Sequence, residues 1–119
     1  RLVMNHPENC STTPLAGMGA ALGIGPPSAT VHYNDVDSAT HTRLGLFNFT
    51  AAGMRIADLR NPLNPVEVAY FRPGDMCTGH ARYMPDSGDI WFVCLESGFW
   101  VIQLAPQVRA SLGLPAARH

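Results

Sequence analysis

The feature that most constrains this chain is an internal echo. Gly53-Met54-Arg55-Ile56-Ala57-Asp58-Leu59 reads onto Gly98-Phe99-Trp100-Val101-Ile102-Gln103-Leu104, and Phe47 falls on Phe92 at the same offset of 45 residues. Repeats of roughly 40–45 residues, each a few short strands separated by turn residues, are what the four-stranded blades of a β-propeller require. A blade cannot bury both of its faces alone, so the repeat predicts neighbours that the chain must find.

Strand and turn signals fill in the unit. Thr30 to Asn34 reads as a strand ended by the turn-prone Asn34-Asp35-Val36-Asp37-Ser38. Arg43 to Thr50 is a second strand, Ala51-Ala52-Gly53 turns it into Met54 to Leu59, and Asn61-Pro62-Leu63-Asn64-Pro65 leads into Val66 to Phe71. That completes one four-stranded blade. The next runs through His80 to Met84, Ile90 to Leu95 and Phe99 to Leu104, and stops one strand short. Pro106 suits a first helical position and Gly113 a cap, which predicts a short helix near the end. Residues 1–30 differ: Pro7, Pro14, Pro26 and Pro27 interleave with Gly17, Gly19, Gly23 and Gly25, the composition of an irregular arm. The predicted organisation is an arm over 1–30 and an all-β domain over 31–119. It comprises about one and three-quarter propeller-like antiparallel blades and a C-terminal helix; a generic antiparallel sandwich is the competing architecture.

Composition excludes several functions. All eight basic residues are arginines spread from Arg1 to Arg118, and the net charge is −1, so the clustered stripe that nucleic acid requires is missing. No apolar run approaches the roughly 20 residues of a membrane-spanning helix. The three cysteines form no Cys-x-x-Cys pair, against a zinc knuckle. Cys94 falls in the apolar run Ile90 to Leu95 and reads as a small buried hydrophobe. Cys10 and Cys77 both sit beside turn residues and are the expected disulfide. Closing so long a loop is worth about 4 kcal/mol on the chain-entropy argument and implies an oxidising compartment.

Chemistry-bearing residues concentrate in His32-Tyr33-Asn34-Asp35-Val36-Asp37, with His41 after it and His80 at the head of the next unit. Imidazoles and carboxylates are ordinary ligands for divalent metals, so His32, Asp35, Asp37, His41 and His80 form the candidate metal set. The competing reading is a loop whose Asp and Asn side chains cap their own backbone. On a regular strand His32 and Asp35 point to opposite faces, and one ion reaches both only if the chain turns between them. Cys77 near His80, and Ser97 beside Glu96, are the only nucleophile candidates, and Ser97-Gly98 is already accounted for as a hairpin turn. Strand alternation must expose one residue of each adjacent aromatic pair, Trp91-Phe92 and Phe99-Trp100, which makes Trp91 and Trp100 the candidate binding surface.

The segment Ala52 to Phe71, an apolar strand ending in Asp58, the turn Pro62-Leu63-Asn64-Pro65 and then Val66-Glu67-Val68, resembles the repeat of LVIVD-type β-propeller proteins. Residues 89–114 resemble the C-terminal end of such proteins. The resemblance is strongest over 43–114. It implies a secreted or cell-envelope propeller of bacterial type whose role is binding. A closed propeller needs at least four blades and this chain supplies fewer than two. The expected function is therefore a non-catalytic binding or scaffolding module, completed by a homo-oligomer, by remaining blades or by a partner strand. The competing function is a small hydrolytic or redox enzyme that uses a divalent metal held by the His/Asp cluster.

Overall fold

A computed structural model describes residues 31–50 and 52–117; the predicted arm, Cys10 included, lies outside the described residues. Among the described residues seven strands and one helix follow in order: β1 (Val31–Val36), β2 (Leu44–Phe49), β3 (Gly53–Asp58), β4 (Val66–Phe71), β5 (Arg82–Met84), β6 (Asp89–Cys94), β7 (Gly98–Gln103) and α1 (Pro106–Ser111). They form two antiparallel sheets, four-stranded β1-β2-β3-β4 and three-stranded β5-β6-β7. The described residues are all-β with one short helix, as the strand and helix signals predict, and no helix among them is long and apolar enough to cross a membrane.

The internal echo is also an echo of register. β2 pairs with β3 from Leu44↔Asp58 to Phe49↔Gly53, and β6 pairs with β7 from Asp89↔Gln103 to Cys94↔Gly98, so each pair of the second hairpin is a pair of the first shifted by 45 residues. The turns match as well. Gly53 and Gly98 open β3 and β7 at φ of 73° and 78°, a left-handed backbone that glycine enters without the Cβ clash of other residues.

The sheets pack through one face each. Leu44 and Leu46 of β2, Met54 and Ile56 of β3 and Phe71 of β4 meet Ile90, Phe92 and Cys94 of β6 and the half-buried Trp100 and Ile102 of β7. Phe71 is the hinge of this core, edge-on to Phe92 at 6.0 Å and tilted against Trp100 at 5.0 Å. Polar contacts set the alignment. The Asn48 amide donates to the Gly79 carbonyl at 2.7 Å, the Cys77 N–H donates to Thr50 O at 2.8 Å, and the Tyr83 N–H donates to the Asp35 carboxylate at 3.0 Å. On the far side of the four-stranded sheet, Arg55 is fully buried; it pairs with Glu67 at 3.2 Å and lies over the Tyr70 ring.

The disulfide corrects the sequence expectation. Cys77 is bonded to Cys94, not to Cys10. The segment before β5 continues along β6 after an irregularity. Cys77 reaches Cys94 as an isolated antiparallel bridge, although Arg82 already pairs with Trp91, so the chain takes up extra residues between them. The Cα atoms lie 3.8 Å apart and both side chains are buried, which makes Cys94 half of a covalent clasp rather than a free thiol. The cysteines are 17 residues apart, a loop whose closure is worth about 3 kcal/mol on the chain-entropy argument.

Candidate functional site

β1 is one of the two edge strands of the four-stranded sheet and lies beside β5, and most of the chemistry-bearing residues sit at this junction. Its pairing with β2 slips between Val31↔Phe49 and Asn34↔Phe47, which places His32 and Tyr33 in a bulge. A bulge breaks strict alternation and re-aims side chains. Adjacent residues therefore meet here: the His32 ring stands edge-on to Tyr33 at 4.5 Å, and Tyr33 stacks on His80 at 3.9 Å with 21° between the planes. All three are exposed. His32 Nδ1 lies 2.8 Å from the Thr78 carbonyl, an acceptor only, so Nδ1 carries the proton and neutral His32 keeps its lone pair on Nε2. The result is a solvent-facing platform of two imidazoles and a phenol, suited to stacking and hydrogen bonding. Tyr33 joins it through the bulge, which strand alternation gave no means of anticipating.

The five proposed metal ligands do not converge. Asp37 closes its own loop: Oδ1 accepts the N–H groups of Arg43 at 2.9 Å and Leu44 at 3.0 Å, which is the capping alternative. His41 sits in the same loop, where its N–H donates to Ser38 Oγ at 3.1 Å. Asp35 is committed to the Tyr83 N–H across the sheet junction. His32 and His80 face each other only through the Tyr33 ring. Among the described residues the one group of three ligand-type side chains with atoms close enough for an ion is Asp75, Cys77 and Cys94. There the two sulfurs are bonded to each other, which removes the thiolates a metal would need.

Asp75 instead clamps the β6–β7 turn. Its carboxylate accepts the N–H groups of Glu96 at 2.7 Å and Ser97 at 2.8 Å and the Ser97 hydroxyl at 2.9 Å, while Ser97 Oγ accepts from the Trp100 indole at 2.7 Å. Burial pushes the Asp75 carboxyl up, but the bonds from Ser97 and Glu96 together outweigh it and hold the group below its ordinary range. Ser97 is thus a turn residue held by an acid, and Cys77 is an oxidised, buried sulfur. Neither has the setting of a nucleophile.

The second surface of note is the outer face of the three-stranded sheet. Trp91, Val93 and Leu95 with Phe99 and Val101 are all exposed, Phe99 at 58% and Val101 at 50%. Trp91 pairs with Val101 and Val93 with Phe99, and Trp91 stands edge-on to Phe99 at 5.6 Å, so the residues form one contiguous apolar ladder. Trp91 therefore lies on an open surface as expected. Trp100 does not: alternation turns it to the opposite face, against Phe71. The residue exposed in its place is Phe99, a choice that needs knowledge of which face meets the core.

No protein-family model matches the chain, and no curated protein matches it.

Proposed function

We propose that this chain is a non-catalytic binding or scaffolding module made of two neighbouring blades of an LVIVD-type β-propeller, completed by further blades from a second copy or from the rest of a larger protein. The observation that carries the reading is the asymmetry of the packed faces. On the four-stranded sheet the face turned to its neighbour holds Leu44, Leu46, Met54 and Ile56. Shifted by 45 residues, these positions are Asp89, Trp91, Phe99 and Val101, and the last three lie on the exposed ladder of the three-stranded sheet. The face with which the second sheet meets the first, Ile90, Phe92, Trp100 and Ile102, is the opposite one. Equivalent sheets thus stack head to tail, a heterologous contact that ends only when a ring closes. The second sheet still offers the face that the first has already buried.

Two further observations support it. Among the described residues β7 pairs only with β6, and its run Gly98 to Gln103 carries no charge and no proline, the usual protections of a free edge. The Cys77–Cys94 disulfide suits an oxidising compartment, in line with a secreted or cell-envelope protein. The His32-Tyr33-His80 platform, formed by β1 and the segment before β5, is the candidate ligand surface. Sedimentation of the full chain over a hundredfold concentration range tests the reading. A mass that rises above one chain with concentration is expected; a single chain throughout would contradict completion by a second copy. A protein monomeric in that test and also sharply cooperative in unfolding would count against any need for further blades.

A further inference from the structure

One leucine of this chain stands almost entirely in solvent. Leu63, at the tip of the β3–β4 turn, is 93% exposed, the most of any large hydrophobic among the described residues. Its turn is rigid: the Asn64 N–H donates to the Asn61 carbonyl at 3.0 Å, and the Leu63 N–H donates to Asn61 Oδ1 at 3.2 Å. Pro62, at the second position, pre-sets the backbone angle that such a turn requires. Leu63 is thus held out on a preformed support, with little conformational freedom left to lose on binding.

A receptor of matching character lies after the second hairpin. Helix α1 and the segment that follows it border a cleft of about 400 Å³, lined by Leu104, Pro106, Ala110, Leu114 and Ala116 and by Gln103. Gln103 ends β7 two residues beyond Val101 on the same exposed face, so the cleft continues the open ladder. The internal echo ties turn and cleft together. Shifted by 45 residues, Asn61 to Pro65 corresponds to Pro106 to Ala110 of α1. Within one chain the α1 region already crosses to the end of the first sheet: the Arg43 guanidinium, just before β2, donates to the Gly113 carbonyl, and Leu112 and Leu114 join the core with Leu44 and Leu46. A first sheet docked on the ladder in the same relation brings its own β3–β4 turn to the matching end of the second sheet, beside the cleft.

We propose that the cleft at α1 receives Leu63 of a second copy of this chain, with Pro62 of the same turn against its wall. The inference rests on the head-to-tail reading above and names the contact that sets its register. Apolar burial drives it, since Leu63 leaves water for a cavity with a mainly apolar lining. The contact is heterologous: each chain offers one turn and one cleft, and the turn of one copy fills the cleft of the next.

The test mixes two variants, Leu63→Cys and Ala110→Cys, in a glutathione redox buffer at a concentration where the wild type is assembled. Both carry Cys10→Ser, so that with Cys77 and Cys94 bonded no other thiol competes. Ala110 is exposed on the helix and lines the cleft. Mass spectrometry without reductant should find linked pairs made of one chain of each variant at least tenfold over pairs of either variant with itself. Equal yields would mean random collision and would overturn the proposal. Leu63→Asp, which touches no core residue, should weaken association at least tenfold in sedimentation with the melting temperature of the single chain unchanged. Undiminished association of Leu63→Asp leaves the head-to-tail reading standing and overturns this contact alone. A wild type that stays a single chain at every concentration overturns both.

Discussion

The hairpins β2–β3 and β6–β7 share their register residue for residue, yet they live in different surroundings. β3 is buried on both faces, so Met54 and Ile56 on one side and Arg55 and Ala57 on the other are all inaccessible. In β7 the residues alternate between half-buried and exposed, with Phe99 and Val101 in solvent. The same backbone geometry is therefore compatible with a strand covered on both faces and a strand covered on one. Burial here is a property of neighbours, not of the hairpin, which is why an apolar residue on the outer ladder reads as an unmet contact.

Substitutions on the two hairpins break or sharpen that contrast. The largest effect is expected at Phe92, which fills the contact between the sheets: Phe92→Ala should cost about 3–5 kcal/mol in denaturant unfolding. The ladder position Phe99, exposed on the same sheet, should lose less than about 1 kcal/mol on the same change under conditions where the chain is single. Equal losses at both would mean that the ladder is already covered within one chain. The Cys77→Ala, Cys94→Ala double variant should lose about 3 kcal/mol, and mass spectrometry of the wild type should find these two residues joined. A peptide linking Cys77 to Cys10 would contradict the observed pairing.

A smaller effect belongs to Asp75, whose turn clamp exists on β6–β7. Its carboxyl is depressed in the folded state, so its contribution is present above the unfolded pKa of about 4 and is lost as pH falls through the lower folded value. Asp75→Asn should cost on the order of 1 kcal/mol near neutral pH, because the group is largely solvated and its bonds are screened. The variant should also lose part of the acid dependence below pH 4; an unchanged stability-versus-pH curve would contradict the clamp. The smallest effect is expected at Val101→Thr, within about 0.5 kcal/mol for the single chain.

The elements were legible because their signals are local. Gly53 and Gly98 mark the two hairpin turns, Pro106 and Gly113 bracket the helix, and the 45-residue echo sets the order of strands. The site was less legible because it depends on departures from regularity. The bulge at His32 and Tyr33 brings adjacent rings together, and the irregularity between Cys77 and Arg82 delivers Cys77 to Cys94; neither leaves a composition signal. Asp35 and Asp37 read equally well as ligands or as backbone caps until their partners, Tyr83 on the other sheet and the N–H groups of Arg43 and Leu44, are known. Trp100 and Phe99 are adjacent, and strand alternation fixes only that one of them is exposed.

The most direct test of the head-to-tail account is the solution mass of the wild type beside Trp91→Lys, which puts a charge on the centre of the open ladder without touching the core. The wild type should form an assembly larger than one chain, and Trp91→Lys should remain a single chain with its disulfide intact. Identical masses for the two proteins at every concentration would contradict the claim that this face is where the next blade docks.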